Sequence, residues 1–137
     1  MSNYDDVRKM YEKFGFVQGE LLPGLISSET ATFRLEALQE ELDELAEGYA
    51  ENNLPKIADS LVDLVVFALG TAALHHLPWE ELFSEVMRAN TSKVAQVTDI
   101  KKRNGAGSID LVKPAGWTPP DIESILDAVS KERQVQC

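Results

Sequence analysis

Apolar residues recur every three or four positions along four stretches of the chain, which is the spacing of amphipathic helices. The first helix is predicted over about residues 5–17, with Asp5 or Asp6 as a possible N-cap. The second runs from Ser28 to about residue 51, the third from about residue 55 to 75, and the fourth from Pro78 to about residue 97. Short connections between four helices favour an antiparallel bundle.

The stretch from residue 98 to 120 is rich in Gly and Pro and is predicted to be irregular, with a short extended piece at Ile109, Leu111 and Val112. A last short helix is expected from Asp121 to about Arg133. The predicted fold is therefore all-α. It is a single domain over residues 1–137, with an antiparallel four-helix bundle over about 5–97 and an irregular loop and C-terminal helix over about 98–137.

The third helix is apolar on nearly every side, a pattern typical of a buried helix, yet Asp59 and Asp63 share one narrow sector of it. A buried carboxylate costs several kcal/mol unless it is paired or bound to a cation. Either Asp59 is exposed and Asp63 pairs with an arginine, or both bind a divalent cation. All-oxygen ligands favour Mg²⁺ or Mn²⁺ over Zn²⁺.

The second helix carries two carboxylates, Glu41 and Glu44, at the margin of its apolar stripe. Its other acidic residues are interpreted as a solvated face. We expect Glu41 and Glu44 to face Asp59 and Asp63 across the bundle. The stripe itself consists of Leu35, Leu38, Leu42, Leu45, Ala46 and Tyr49.

The fourth helix places Asn90 in the middle of its apolar face and Lys93 near the edge. Asn90 could be a buried amide bonded to backbone, and Lys93 could extend to solvent. Beside a carboxylate cluster, both suit a site that holds a polyphosphate, because a lysine supplies a point charge for phosphate oxygens.

Charge and composition limit the classes of molecule that the protein is expected to bind. The 137-residue chain is 44% hydrophobic with a net charge of −10, which argues against binding a nucleic-acid backbone but allows a nucleotide when cations neutralise the site. The first ten residues lack a signal-peptide pattern, and the longest apolar run, Leu64–Leu74, is too short for a bilayer. The single Cys137 fits a reducing cytoplasm. His75 and His76 point apart on a helix, and Gly105 and Gly107 do not form a P-loop.

Four segments together resemble one family: EELDEL at 40–45, ADSLVDL at 58–64, EVMRANTSK at 85–93 and KPAGWTPP at 113–120. Their order and spacing resemble the MazG-like all-α NTP pyrophosphohydrolases, and most of all the small single-domain forms common in bacteriophages, including the MazZ type that acts on dGTP and GTP. The resemblance covers about residues 28–121. The family signature has a Glu where this chain has Ser60, and Asp59 lies one residue earlier on the same face.

The resemblance implies a Mg²⁺-dependent (or Mn²⁺-dependent) enzyme that converts a (d)NTP and water into a (d)NMP and diphosphate, with two or more ions per site. Glu41 would orient the water and, with Glu44, form the catalytic pair. The metal ligands would be Glu41, Glu44, Asp59 and Asp63, and the substrate contacts Asn90, Lys93, Lys113 and Gln18. A guanine preference follows from the same resemblance. The expected location is the cytoplasm, as Cys137 indicates, and it would be the host cytoplasm if a phage encodes the protein.

The apolar third helix has more surface than one short bundle can cover, so we expect a homodimer or homotetramer, with no nucleic-acid or membrane partner. Two alternatives stay open. One is a non-enzymatic acidic helical protein that binds a host factor or mimics nucleic acid. The other is a phosphoribosyl-ATP pyrophosphohydrolase of the same fold.

Overall fold

The computed structural model describes residues 1–97 and 109–135, and within these ranges the chain is mostly helical with a small two-stranded sheet. Predictions about Gly105, Gly107 and Cys137 lie outside the described residues. The elements are α1 (Asn3–Lys13), α2 (Ser28–Ala50), α3 (Leu54–Leu74), α4 (Trp79–Thr91), β1 (Val94–Val97), β2 (Ile109–Val112) and α5 (Ile122–Val135).

Local capping explains where the first three helices begin. Ser2, rather than Asp5 or Asp6, caps α1, and Asp5 bonds back to the backbone of Ser2 in a capping box. Ser27 caps α2 by accepting the backbone N–H of Thr30. Asn53 caps α3 by accepting the N–H of Lys56. The predicted boundaries of α2 and α3 therefore agree with the structure to within one residue.

The predicted fourth helix is wrong beyond Thr91. Residues Val94–Val97 form strand β1, which pairs antiparallel with β2 so that Val94 lies opposite Val112. The pattern Val-Ala-Gln-Val fits a strand as well as a helix, and pairing with a segment later in the chain decides between them. The short extended piece predicted at Ile109, Leu111 and Val112 is confirmed as β2.

The contacts divide the chain into two compact units, residues 1–79 with 129–137 and residues 80–128. In the first unit α3 packs against α1 and α2. Its core consists of Tyr4, Val7, Tyr11, Val17, Leu69, Ala72 and Ala73. In the second unit Leu82 and Ala89 are buried on α4, and the indole N–H of Trp117 donates to the Ala89 carbonyl at 2.7 Å.

Helices α2 and α3 form an antiparallel hairpin with three zones. Near the turn, Gly48 lies against Ile57 so closely that a Cβ at position 48 would come within 2.9 Å of the Ile57 side chain. The acidic residues lie in the middle zone. At the far end, Arg34 of α2 donates to the carbonyl of Phe67 at 2.9 Å and to the hydroxyl of Thr71 at 2.9 Å.

The hairpin presents a second apolar face outward. Leu38 and Leu45 are half-buried, whereas Leu35, Leu42 and Tyr49, seven residues apart, are 68%, 50% and 62% exposed. The predicted single stripe on α2 is therefore split between an inner and an outer face.

Helix α3 does not meet the expectation of burial on all sides, because Leu61, Val62 and Val65 are exposed. By length and composition alone α3 is apolar enough to cross a membrane, with a mean hydropathy of 1.9 over an 18-residue window that is 28% buried. Core helices of soluble proteins also meet this criterion.

Candidate functional site

Glu41 is the central acidic residue of the hairpin. Its side chain is half-buried, and its Oε2 atom is buried without a hydrogen-bond partner among the described residues. Burial is the largest cause that raises the pKa of the Glu41 carboxyl above its usual range, and the negative charges of Glu44, Asp63 and Asp59 raise it further. Glu41 therefore interacts electrostatically with each of the other three carboxylates predicted from the sequence.

The burial of these carboxylates is less complete than the sequence pattern predicts. Asp63 is half-buried like Glu41, but Glu44 and Asp59 are exposed. The expectation that all four lie in an apolar interior is therefore wrong for Glu44 and Asp59. Asp59 lies on the first turns of α3, before the residues of that helix that belong to the core of the first unit, Leu69, Ala72 and Ala73. No salt bridge joins Asp63 to an arginine within residues 1–97 and 109–135.

Ser60 lies between the two aspartates on α3 and is only 1% exposed. Its hydroxyl has no hydrogen-bond partner among the residues that the structure describes. A buried hydroxyl without a partner costs about 1–3 kcal/mol. The middle zone of the hairpin thus contains two orphaned oxygen atoms, one on each helix, beside an excess of negative charge.

This zone has the chemistry of a site for a hard divalent cation, since its donors are carboxylate and hydroxyl oxygens. In the described part of the chain, however, no group of three or more Asp, Glu, His or Cys side chains stands close enough to enclose an ion. The unpartnered oxygens of Glu41 and Ser60 fit a cation; exposed Glu44 and Asp59 would have to move towards it.

The second unit holds the predicted lysines. Lys93 precedes β1 and Lys113 follows β2, so the two lie opposite each other beyond the Val94–Val112 pair. Their ammonium groups lie 5.6 and 4.8 Å from the centre of the Trp117 ring. Two like charges are held over one indole, and no acidic residue forms a salt bridge with either within the described ranges.

Asn90 and Gln18 are both exposed. The expectation that Asn90 points into an apolar face is wrong, because the buried positions on α4 are Leu82 and Ala89. Gln18 follows α1 in the connection to α2, beside the buried Val17.

A cationic and aromatic cluster at the far end of the hairpin was not predicted. The Arg34 guanidinium lies 5.1 Å from the centre of the Phe67 ring and 5.5 Å from that of Tyr11, and it donates to the Tyr11 hydroxyl at 2.7 Å. Gly70 permits this arrangement, since a Cβ there would overlap the Tyr11 hydroxyl. The spacing of Arg34, Leu38, Glu41 and Leu45 along α2 was the available signal.

Comparison with known protein families shows which family the chain belongs to. The profile of the phosphoribosyl-ATP pyrophosphohydrolase family matches residues 7–90, more than half of the 137-residue chain. The chain belongs to the phosphoribosyl-ATP pyrophosphohydrolase family. A comparison with curated proteins gave no match.

This family is part of the MazG-like all-α NTP pyrophosphatase superfamily, so the resemblance found in the sequence is confirmed. The protein is accordingly an enzyme that hydrolyses a phosphoanhydride bond of a nucleotide. The alternative of a non-enzymatic acidic binding protein is thereby set aside. The matched range includes the hairpin with Glu41, Glu44, Asp59 and Asp63, and it ends at Asn90.

Proposed function

We propose that this phosphoribosyl-ATP pyrophosphohydrolase family member hydrolyses a nucleoside or deoxynucleoside triphosphate between the α- and β-phosphates, releasing diphosphate, with Mg²⁺ or Mn²⁺ at the hairpin centre. The observation that carries the proposal is the Glu41 carboxylate oxygen, which is buried without a partner while neighbouring carboxylates raise the pKa of its group. A cation would satisfy the orphaned oxygen and offset the repulsion at once.

The proposed metal ligands are Glu41, Glu44, Asp59 and Asp63, in a site for two or more ions. The cations, when bound, neutralise phosphate charge and increase the acidity of water. Glu41 would then act as the base that orients the attacking water towards the α-phosphorus, since burial and its acidic neighbours raise the pKa of its carboxyl. Glu44 supports it as the second catalytic carboxylate. Pyrophosphate leaves as the bond to the α-phosphorus breaks.

Four further residues are proposed substrate contacts. Lys93 and Lys113 would bind phosphate oxygens, which would relieve the mutual repulsion of two ammonium groups on one indole. Asn90 would contact phosphate or sugar, and Gln18 would contact the nucleoside. Both are exposed and therefore accessible to a ligand.

We also propose that the working form is a homodimer or homotetramer. The outer faces of α2 and α3 carry Leu35, Leu42, Tyr49, Leu61 and Val65, all about half exposed or more. A second copy packing its hairpin on this surface would complete a four-helix bundle, and it would explain why so apolar a helix as α3 is only partly covered. With α3 covered in this way, we place the protein in the cytoplasm, free of membrane and nucleic acid.

The choice of nucleotide has two candidates. The family name favours phosphoribosyl-ATP as substrate. Resemblance to small phage forms favours a (d)NTP, with dGTP or GTP preferred. Both substrates are cut between the α- and β-phosphates, so the middle zone of the hairpin could hydrolyse either of them.

The test is to incubate the protein with each of the eight common NTPs and dNTPs, and with phosphoribosyl-ATP, in the presence of Mg²⁺. Products are then separated by chromatography. Monophosphate plus pyrophosphate from a (d)NTP supports the proposal, and cleavage of phosphoribosyl-ATP alone would support the second candidate. Diphosphate plus inorganic phosphate would place the cut at the wrong bond and contradict the proposal.

A further inference from the structure

The Arg34 cluster contains a cation that the proposed chemistry does not use. The chain has 23 acidic and 13 basic residues, and Arg8, Lys56 and Arg88 each form a salt bridge with a glutamate. Arg34 is half-buried and has no such partner in the part of the chain that the structure describes. Its hydrogen bonds go to the neutral oxygens of Thr71, Tyr11 and Phe67.

The donors of Arg34 are unequally used. Nε donates to Thr71, and Nη2 donates to both Tyr11 and Phe67, which accounts for three of the five N–H groups. Among the described residues Nη1 has no acceptor, and it is not one of the buried atoms without a partner. The guanidinium is therefore fixed on three sides and offers one accessible nitrogen, with two N–H groups, to a ligand.

Two aromatic rings, Tyr11 and Phe67, lie beside the guanidinium. Phe67 flanks the guanidinium, and Tyr11 packs edge-on against Phe16 with ring centres 5.5 Å apart. Phe16 is 63% exposed, and Phe14 lies 6.3 Å from it. The exposed Phe16 ring is linked to the fixed cation through Tyr11, and such an arrangement suits a planar, π-rich ligand because any base can stack on an aromatic side chain.

The separation between Arg34 and the middle zone of the hairpin matches the length of a nucleotide. Arg34 and Glu41 are seven residues apart on α2, or about 10 Å along the helix, and both face α3. A substrate with its phosphates at Glu41 would thus extend its sugar and base towards Arg34. A phosphate is a poorer occupant of the Arg34 end, because phosphates favour the two-pronged edge of a guanidinium, and here Nε and Nη2 are already bonded.

We propose that Arg34, with Phe67 and the Tyr11–Phe16 pair, forms the nucleobase subsite, and that Nη1 selects bases with a keto oxygen at purine C6 or pyrimidine C4 over bases with an amino group at that position. The inference rests on the proposed nucleotide hydrolysis. An arginine only donates, so it can donate to guanine O6 or uracil O4 but meets another donor in the amino groups of adenine and cytosine. Guanine is the better fit of the two keto bases because N7 adds a second acceptor.

The test compares kcat and KM for GTP, UTP, ATP and CTP in the wild type, Arg34→Met and the matched control Thr71→Val. The control loosens the same guanidinium without removing it. The wild type is expected to favour GTP and UTP. Loss of one charge-assisted hydrogen bond in Arg34→Met should reduce the keto-to-amino ratio of kcat/KM about ten- to a hundredfold, mainly through KM. Thr71→Val should keep the wild-type ratio.

An Arg34→Met enzyme that keeps the wild-type ratio would overturn the inference while leaving the hydrolysis intact. An equal loss for all four nucleotides would also overturn it, since it would mark Arg34 as a phosphate contact or a purely structural residue. If Arg34→Met does not fold, Arg34→Lys takes its place. Because a lysine also only donates, this variant should keep the keto preference while its affinity for all four nucleotides falls, and a reversed preference would contradict the inference.

Binding measured without turnover separates this inference from the proposed function. Calorimetric titration with α,β-methylene GTP and α,β-methylene ATP should show a keto preference in the wild type that Arg34→Met lacks. That result would stand even if no nucleotide were hydrolysed. Equal affinity of the wild type for both analogues would refute the subsite.

Discussion

The middle zone and the far end of the α2–α3 hairpin differ in whether their polar side chains find partners within the fold. At the far end Arg34 ties α2 to α1 and α3 through Tyr11, Phe67 and Thr71, and three of its donors have acceptors. In the middle, Glu41 and Ser60 keep buried oxygens without partners in the described chain, and the neighbouring charges repel. The difference teaches that the polar groups of the far end bond within the fold, whereas the middle zone leaves two buried oxygens that the proposed cations would satisfy.

The largest expected effect is on catalysis in the middle zone. Replacing Asp63 with Asn, or Glu44 with Gln, removes a charge that the cations require, and should lower the rate of pyrophosphate release at least about a hundredfold while helicity is retained. The rate is measured in a coupled pyrophosphate assay, and helicity by circular dichroism. Glu40→Gln is the control, since Glu40 is an exposed residue of the same helix outside the proposed ligand set. Wild-type turnover in both variants would remove the assignment.

The far end should respond in stability. A methyl group at Gly70 would collide with the Tyr11 hydroxyl and force it away from α3. Gly70→Ala should lower the free energy of unfolding by about 1–3 kcal/mol, although alanine is the better helix former by about 1 kcal/mol. Urea denaturation measures the change, with Gly24→Ala as control, because a Cβ there meets only a backbone oxygen at 4.0 Å. Equal effects at the two positions would contradict the close approach.

Substitution of Ser60 is expected to raise the free energy of unfolding, in contrast to Gly70→Ala. Ser60→Ala removes a buried hydroxyl without a partner, so the metal-free protein should gain about 1 kcal/mol of stability. The stabilisation by added Mg²⁺, measured as a shift in Tm, should become smaller. Ser84→Ala, at an exposed site on α4, should change stability by less than about 0.5 kcal/mol. A loss of stability in Ser60→Ala would show that the hydroxyl is satisfied in the fold.

The smallest expected effect concerns His76, at the C-terminal end of α3. Its Nδ1 accepts the Leu21 N–H at 3.3 Å, and this hydrogen bond joins the α1–α2 connection to the residues that follow α3. Burial, with Arg8 and Arg133 nearby, lowers the pKa of His76 below its usual 6.5, although Glu20 partly opposes this. The unfolded chain therefore binds the extra proton first, and stability falls as pH falls below about 6.5.

This acid effect is measured by hydrogen exchange at the Leu21 amide, as the protection factor (the intrinsic rate at each pH divided by the observed rate), which should fall as pH falls below about 6.5. His76→Asn should flatten the dependence, because asparagine does not titrate and tolerates the φ of +55° found at position 76. A protection factor at Leu21 that does not change with pH in the wild type would argue against the contact.

How far the sequence predicts the structure depends on how local each feature is. The starts of α2 and α3 follow from Ser27, Asn53 and Pro55, whose effect is exerted within one helical turn. Strand β1 could not be predicted, because only its pairing with β2 distinguishes it from the end of a helix. The helical periodicity predicts which residues form the apolar stripe of α2. It does not predict that Leu38 and Leu45 lie on the inner face whereas Leu35, Leu42 and Tyr49 are exposed.

The candidate site divides in the same way. Glu41 and Asp63 were found because charges on an apolar face are conspicuous in a helical pattern. Arg34 was missed because an arginine near a helix start is usually solvated, and its partners Tyr11 and Phe67 come from two other helices. The single-domain prediction and the roles of Asn90, Lys93, Lys113 and Gln18 stay predictions.

The central claim is that the hairpin centre holds a divalent cation through Glu41. The direct measurement is Mn²⁺ binding by electron paramagnetic resonance, in the wild type and in Glu41→Gln, with α,β-methylene GTP present. The account predicts that the wild type binds Mn²⁺ and that Glu41→Gln binds it at least about tenfold more weakly. Equal Mn²⁺ affinity in the two proteins would contradict the account.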